Sequence, residues 1–213
     1  MADVIDDDGA RRLKKSDLTR GRILDAAAET FRAKGYTAAR LSDIAELAAT
    51  QAGSLYYHFA SKEQLAEEVL ALGVKQVSEA VAAAIDALPA TADFRTRLLA
   101  ALEAHLSSML QHEAYSAANV RIINQVPPDV RERHLSHHRH YGAFWRGLLE
   151  QAQARGEIRA EVDLPAIRML ILGALNWSVE WYRPGRLTAG EIARELVDMI
   201  LGGIAPRDPS ASG

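Results

Sequence analysis

The fold is decided by residues 40–59, which read RLSDIAELAATQAGSLYYHF. Apolar residues recur at helical spacing in two short segments of this stretch, at about 40–48 and about 51–59. In the second segment Leu55 and Phe59 lie one turn apart, so both are expected to pack inward. Two short helices separated by a break of only a few residues have the layout of a helix-turn-helix.

Helical periodicity continues on both sides of this stretch, and no segment alternates with a period of two for long. Upstream, residues 18–34 carry an apolar stripe that ends at Gly35, where the chain is expected to enter the left-handed region. Downstream, Ser61 and Gln64 form a capping box that opens a helix to about residue 88. Further helices are predicted at about 93–112, 114–124, 129–156, 163–182 and 188–203.

These patterns predict an all-α protein of about nine helices, divided into two domains. A domain with its helix-turn-helix at about 40–59 is expected over residues 17–77, and a larger helical domain over residues 78–205. Residues 1–16 are expected to form a flexible extension, and the Ser/Pro-rich residues 206–213 are expected to form a disordered tail.

The composition excludes several classes of protein. No cysteine occurs among the 213 residues, which rules out disulfides, thiolate metal sites and cysteine nucleophiles. The N-terminal stretch lacks the apolar segment of a secretory signal. The longest apolar run, residues 164–182, contains Arg168, Asn176 and Glu180 and falls short of a membrane span. We therefore expect a cytoplasmic protein with no membrane partner.

Charge is divided unevenly along the chain, although the net charge is only −3. Residues 11–62 carry ten lysines and arginines against five acids, whereas residues 63–213 carry fifteen against nineteen. A basic segment on an acidic body indicates local contact with a polyanion, but the solvated face of an ordinary helix gives the same asymmetry. Charge alone leaves both interpretations open.

The second helix of the helix-turn-helix presents groups suited to nucleic acid. Ser54, Tyr57 and His58 are expected to face outward, where hydroxyl and imidazole groups can donate to phosphates or base edges. The small residues Ala52 and Gly53 would allow close approach to a groove. A plain helical bundle without a nucleic-acid partner fits the same residues equally well.

Five motifs in the first third of the chain resemble the signature of tetracycline-repressor-like, or TetR-family, transcriptional regulators. They are ILDAA at 23–27, Phe31, Gly35-Tyr36, DIA at 43–45 and GSLYYHFASK at 53–62. The resemblance implies a homodimeric, cofactor-free repressor, not an enzyme, whose N-terminal domain binds a palindromic double-stranded operator. It also implies that the C-terminal domain forms the dimer and binds a small-molecule effector.

The resemblance assigns roles to individual residues of the helix-turn-helix. The phosphate-contacting and positioning set corresponds to Tyr56, Tyr57, His58 and Lys62. The positions that face bases or backbone are occupied by Arg40, Ser42, Gln51, Ala52, Gly53 and Ser54. The turn departs from the family pattern, since Ala49-Thr50-Gln51 stands where Gly-Val-Ser is common. Alanine is acceptable there if its φ is not positive.

The C-terminal domain resembles a narrower group within that family. LGALNW at 172–177 and WYRPG at 181–185 are similar to members that sense acyl-CoA or other lipid CoA thioesters. That resemblance implies an apolar tunnel with arginines near its mouth, whereas a drug-type effector would not need the arginines. Simple core and dimer packing also accounts for the two tryptophans. The expected ligand-binding residues are Phe94, Leu98, Leu102, Met109, Arg121, Ile123, Phe144, Leu148, Trp177 and Arg183.

The last two helices are expected to form the dimer interface. The helix at 163–182 is apolar nearly all round, and the last helix carries a stripe that a monomer would leave exposed. The predicted interface residues are Ile171, Leu175, Leu196, Ile200 and Ile204.

Four histidines lie close together in the helix at 129–156, namely His134, His137, His138 and His140. His134 and His138 are four residues apart and could share a metal ion, as a metal sensor or metal-dependent enzyme would require. A polar helix at the domain surface or cavity rim fits the same residues. Because the rest of a ligand set is missing, we predict that no metal is bound.

Overall fold

The computed structural model describes the backbone of residues 7–204 and the side chains of residues 16–204. This part of the chain forms ten helical segments and no strand, so the predicted all-α class is confirmed. None of its helices has both the length and the apolar composition needed to cross a bilayer. The segments are α1 (Asp7–Ala38), α2 (Leu41–Leu47), α3 (Ala52–His58), α4 (Lys62–Asp86), α5 (Phe94–Gln111), α6 (Glu113–Ile122), α7 (Pro128–Ala154), α8 (Leu164–Asn176), α9 (Ser178–Trp181) and α10 (Ala189–Ile204).

The first helix is longer than predicted. α1 begins at Asp7 instead of residue 18, so the backbone of residues 7–16 is helical where a flexible extension was expected. The rest of that expected extension, residues 1–6, lies outside the described residues, as does the expected tail at 206–213.

The break near the end of α1 is the predicted one. Gly35 has a φ of +74°, in the left-handed region that favours glycine. A Cβ at this position would also lie 2.7 Å from the side-chain oxygen of Gln125. Glycine is therefore required here both by the backbone conformation and by the close approach of Gln125.

The last two predicted helices end at different residues from those expected. α8 stops at Asn176, and the short α9 follows after Trp177. α10 continues through the glycine pair at 202–203 to Ile204. Tertiary contacts hold this last turn, because Ile204 is buried and its carbonyl oxygen accepts a hydrogen bond from the Arg159 N–H at 3.0 Å.

Two hydrophobic cores divide the molecule. The head core joins α1–α3, the first half of α4, α6 and the start of α7. The body core joins the second half of α4 with α5, α7, α8 and α10. α4 belongs to both, since Leu65 and Val69 pack in the head core and Val77 and Val81 in the body core. We call the two parts the head and the body.

Candidate nucleic-acid interface and effector cavity

Apolar residues anchor α3, which turns its polar side outward. Leu55 and Phe59 are fully buried in the head core, together with Ile44 and Phe31. Tyr57 is 81% exposed. The buried residues of this helix are the expected ones and Tyr57 faces outward as expected, whereas Ser54 and His58, also expected to face outward, are half-buried.

The residues predicted to bind DNA gather around α2 and α3. Arg40 immediately precedes α2, where its backbone N–H donates to the Asp43 carboxylate at 3.2 Å. Three members of the set, Ser54, His58 and Lys62, are half-buried. The remaining members are exposed and accessible to a partner that approaches α3: Arg40, Ser42, Gln51, Ala52, Gly53, Tyr56 and Tyr57.

The turn between α2 and α3 holds a residue in an unfavourable conformation. Ala49 has a φ of +49°, so the negative φ that would make alanine acceptable there is not found. The left-handed conformation costs an ordinary L-residue roughly 1–2 kcal/mol. Backbone hydrogen bonds hold the turn, including one from the Thr50 N–H to the Ala45 carbonyl at 3.0 Å.

Lys62 is folded against the connection between α1 and α2. Its Nζ lies 4.4 Å from the centre of the Tyr36 ring and 3.5 Å from the Thr37 carbonyl oxygen. Partial burial lowers the pKa of the Lys62 ammonium. The Tyr36 hydroxyl in turn donates to the Glu63 carboxylate at 2.9 Å. A phosphate contact by Lys62 would replace its contact with the Tyr36 ring.

α6 connects the head to the body, a role that sequence analysis missed. Tyr115, Ala118 and Ile122 pack in the head core, whereas Asn119 and Val120 line a cavity in the body. The sequence carries apolar residues on both sides of this short helix. Periodicity alone could not show that the two sides face different parts of the molecule.

Polar contacts reinforce this junction. The side-chain oxygen of Gln125 accepts hydrogen bonds from the N–H groups of Tyr36 at 2.9 Å and Thr37 at 3.4 Å. The Nη1 of Arg121 donates to the Arg32 carbonyl oxygen at 3.0 Å. Arg121 therefore bridges head and body and does not line the cavity, which corrects its expected place among the ligand-binding residues.

The cavity has a volume of about 500 Å³ and lies between α4, α5, α6, α7 and α8. Met109 and Ile123 are the two predicted ligand-binding residues that line it. Val77 of α4 and Leu172 of α8 also form part of the apolar wall, and sequence analysis did not assign them. The volume suits a small organic ligand.

The other apolar residues predicted to line the cavity lie outside its wall. α5 reaches the cavity only with its second half, through His105 and Met109, and its earlier turns pack in the body core between α4 and α10. Helical periodicity cannot distinguish a core-facing from a cavity-facing position. The residues that pack in or against the body core instead are Phe94, Leu98, Leu102, Phe144 and Leu148.

Trp177 and Arg183 also lie outside the cavity lining. Trp177 is 59% exposed at the joint between α8 and α9. The Nη1 of Arg183 donates to the carbonyl oxygens of Tyr182 at 2.7 Å and Glu180 at 3.2 Å. Both predictions are corrected, since the tryptophan faces outward and the guanidinium is bound to its own turn.

Three histidines contribute to the polar part of the cavity wall. The Nε2 atoms of His134 and His138 lie 2.8 Å apart, and the Nδ1 of His105 lies 2.7 Å from the Tyr141 hydroxyl oxygen. Burial lowers the pKa of both His105 and His134 to about 3, so both are neutral near pH 7. Within residues 16–204, no three His, Cys, Asp or Glu side chains are grouped so as to hold a metal ion.

The residues predicted for the dimer interface are turned inward. Ile171, Leu175 and Ile204 are buried in the body core, while Leu196 and Ile200 are half-buried against it. The helices of this region do expose apolar side chains, as expected, but different ones. The large exposed apolar residues of this region are Met169, Leu170, Trp177, Trp181, Leu187 and Met199.

Family models match both parts of the chain. Residues 23–69 match the model described as bacterial regulatory proteins, tetR family. Residues 91–204 match the model described as tetracyclin repressor-like, C-terminal domain, and this match alone spans more than half of the chain.

Individual relatives agree with these models. The HTH-type transcriptional repressor KstR2 of Mycobacterium tuberculosis is 31% identical over 190 residues, covering 87% of this chain and 92% of KstR2. The crystal structure of the TetR family regulator PfmR from Thermus thermophilus is 30% identical, with a TM-score of 0.75 over 85% of this chain and 98% of PfmR. The structure of the M. tuberculosis KstR2 is 28% identical, with a TM-score of 0.75 over 88% of this chain and 95% of KstR2. The chain therefore belongs to the TetR family of bacterial transcriptional regulators, which bind DNA and are not enzymes.

Proposed function

We propose that this protein is a repressor that binds a palindromic operator as a homodimer and releases it when a small molecule fills the cavity. The placement of α6 is the observation that carries this proposal. One side of α6 packs in the head core and the other lines the cavity. α4 is shared in the same way, with Leu65 in the head and Val77 at the cavity. A ligand that displaces either helix would move α3.

Release requires only a shift between two arrangements of the dimer. Two recognition helices that read successive major grooves must stand about 34–36 Å apart. A ligand that binds better to an arrangement with a different spacing favours that arrangement by its difference in affinity. Because α3 is joined to α4 by only a few residues, a small tilt of α4 is sufficient to change the spacing.

The cavity favours an amphipathic effector without positive charge. Its wall is mainly apolar, and none of the residues that line it is an aspartate or glutamate, so a cationic drug would find no counter-charge. The relative KstR2 is described as a ketosteroid transcriptional regulator. We propose an acyl-CoA or related lipid CoA thioester, fatty or steroid, as the leading effector, with its acyl part in the cavity. An uncharged drug-type molecule is the alternative.

The exposed apolar face of α8–α10 is proposed as the dimer interface. Leu170, Trp177 and Trp181 recur at helical spacing along it. Leu170→Asp would bring two unpaired carboxylates into this interface, so we expect monomers in analytical ultracentrifugation and weaker operator binding. The matched control is Gln151→Asp, an exposed position on α7. A Leu170→Asp variant that sediments as a dimer would place the interface elsewhere.

Operator release tests the function as a whole. Binding duplexes are selected from a randomised DNA pool, and the complex is then titrated with fatty and steroid acyl-CoAs, free fatty acids and a cationic rhodamine. We expect a palindromic duplex to be selected and acyl-CoAs to release it. Failure to enrich any duplex would contradict the DNA-binding proposal. Release by rhodamine but by no CoA thioester would contradict the effector class.

A cavity-filling variant separates ligand response from DNA binding. Leu172→Trp places an indole in the cavity wall, so we expect normal operator affinity but resistance to release. Glu150→Trp, at an exposed position of α7 that does not line the cavity, is the control and should respond as the wild type does. Equal responses from both variants would argue that the effector binds outside this cavity.

A further inference from the structure

Arg168 of α8 is a cation without a matching anion in the cavity wall. It is the one lysine or arginine among the residues found to line the cavity, and no aspartate or glutamate accompanies it there. Its half-buried side chain makes a long hydrogen bond of 3.5 Å from Nη1 to the Gly142 carbonyl oxygen. The ion pairs found among the side chains of residues 16–204 do not include Arg168.

The neighbouring helix leaves room for this guanidinium. Gly142 lies within α7, and a Cβ at that position would stand 2.8 Å from the Nη1 of Arg168. Glycine is less favourable than alanine inside a helix. Here the missing Cβ leaves room for the guanidinium, whose flexible end an alanine would displace.

The polar groups near Arg168 do not neutralise it. His138 and His134 precede Gly142 by one and two helical turns, so all three lie along one strip of α7. Burial lowers the pKa of both imidazoles, which are therefore neutral near pH 7 and neither repel an anion nor replace it. A guanidinium is always charged in proteins and is suited to paired hydrogen bonds with carboxylate or phosphate.

We infer that Arg168 binds an acidic group of the effector, a carboxylate or a phosphate, while the apolar part of the molecule lies against Val77, Met109 and Leu172. The inference rests on the proposed function insofar as the cavity holds the effector. Arg121 and Arg183, the arginines expected from the sequence to meet an anion, are bound to backbone carbonyls elsewhere. The anion site inferred here lies instead between the facing segments of α7 and α8.

A pair of fluorescent probes tests this site without any need for DNA. 8-Anilinonaphthalene-1-sulfonate carries one sulfonate, and N-phenyl-1-naphthylamine is its uncharged counterpart. For Arg168→Gln we expect the Kd of the sulfonate to rise about 10-fold or more, because a charge-assisted interaction is lost. The Kd of the uncharged probe should change less than about twofold. Unchanged sulfonate affinity, or an equal loss for both probes, would overturn the inference.

Three further variants test whether the effect is specific to the Arg168 guanidinium. Gly142→Ala favours helix formation but displaces the guanidinium, so it should weaken sulfonate binding less strongly than Arg168→Gln. Gly147→Ala, on the same helix with open space around its Cβ, and Arg146→Gln, at an exposed arginine, are the matched controls. If either control weakens sulfonate binding as much as Arg168→Gln does, the assignment to Arg168 is wrong.

Operator release then identifies the source of the anion. If Arg168→Gln resists palmitate but not its methyl ester, the group is a carboxylate. If it resists only palmitoyl-CoA, the group is a phosphate. Equal resistance to the methyl ester would overturn the inference. A further outcome is that the two probes distinguish Arg168→Gln from the wild type while none of these compounds releases DNA. That result would contradict the proposed effector class and leave the anion site supported.

Discussion

The head and the body differ in what their helices enclose. The head core is filled by apolar side chains, and its buried polar Thr30 donates its hydroxyl to the Ala26 carbonyl at 2.7 Å. The body encloses a cavity of about 500 Å³ and buries His105 and His134 at its wall. The head is filled by closely packed side chains, which fix the geometry of the surface that carries α3. The body leaves a cavity with polar groups in its wall, so its side chains are packed less closely. The predictions below test this contrast.

The largest difference is expected for a leucine truncated in each part. Leu55 is fully buried between the helices of the head, and Leu55→Ala should cost about 2–5 kcal/mol of unfolding free energy. Leu172 already borders empty space, so Leu172→Ala should cost about 1 kcal/mol or less. Urea denaturation of both variants measures this. Equal losses would mean that the cavity wall is packed as tightly as the head.

Acid should lower the stability of the body through its buried histidines. The pKa of His105 is about 3 in the folded chain, whereas an unfolded histidine titrates near pH 6.5. Below about pH 6.5 the unfolded chain takes up the proton first, so the free energy of unfolding falls as the pH falls towards 3. Between pH 6.5 and pH 5 the expected loss from this residue is about 2 kcal/mol.

A non-titrating variant isolates this contribution. His105→Gln can still bond to the Tyr141 hydroxyl, so its free energy of unfolding should fall about 2 kcal/mol less between pH 6.5 and pH 5. The explanation fails if His105→Gln shows the same pH profile as the wild type.

The third prediction concerns a charge of the head. Lys62→Ala should weaken operator binding regardless of sequence, because one phosphate contact is lost in each subunit. The slope of log K against log salt should become shallower by about 1.8 for the dimer. Lys75→Ala, an exposed lysine farther along α4, serves as the control. Fluorescence anisotropy across a salt series measures both, and an unchanged affinity and slope would remove Lys62 from the phosphate-contacting set.

The smallest effect is expected at the strained turn of the head. Ala49→Gly relieves a positive φ but adds freedom to the unfolded chain, so we expect a gain of at most about 1 kcal/mol. Thermal denaturation of the variant against the wild type measures it. A loss of stability would mean that the left-handed conformation of Ala49 carries no strain.

Much of the head could be predicted from sequence because its structure depends on neighbours along the chain. The buried positions of α3 follow from helical periodicity and from the short turn that precedes it, so Leu55 and Tyr57 were placed on the correct sides. Gly35 was recognised for the same reason, since a helix end and a glycine are local features. The unexpected Ala49 is the exception, because nothing in the local pattern shows a positive φ at an alanine.

The cavity could not be predicted in the same way, because five helices form its wall and each contributes only a few of its residues. Phe94 and Met109 belong to one amphipathic helix and both pack in the body core, yet only Met109 also lines the cavity. Arg121 and Arg168 are both arginines on apolar helices, and only their surroundings distinguish a bridge to the head from a cation at the cavity.

The sequence by itself determined the all-α class, the helix-turn-helix and the membership of a regulator family. Periodicity, capping residues and short motifs are all features of residues that lie close together along the chain. The tertiary structure alone decided which apolar face of α8 and α10 is buried, that α6 joins the head to the body, and which groups surround Arg168. These features depend on which helices become neighbours. Packing between distant segments sets those neighbours, and the spacing of residues along one helix does not contain that information.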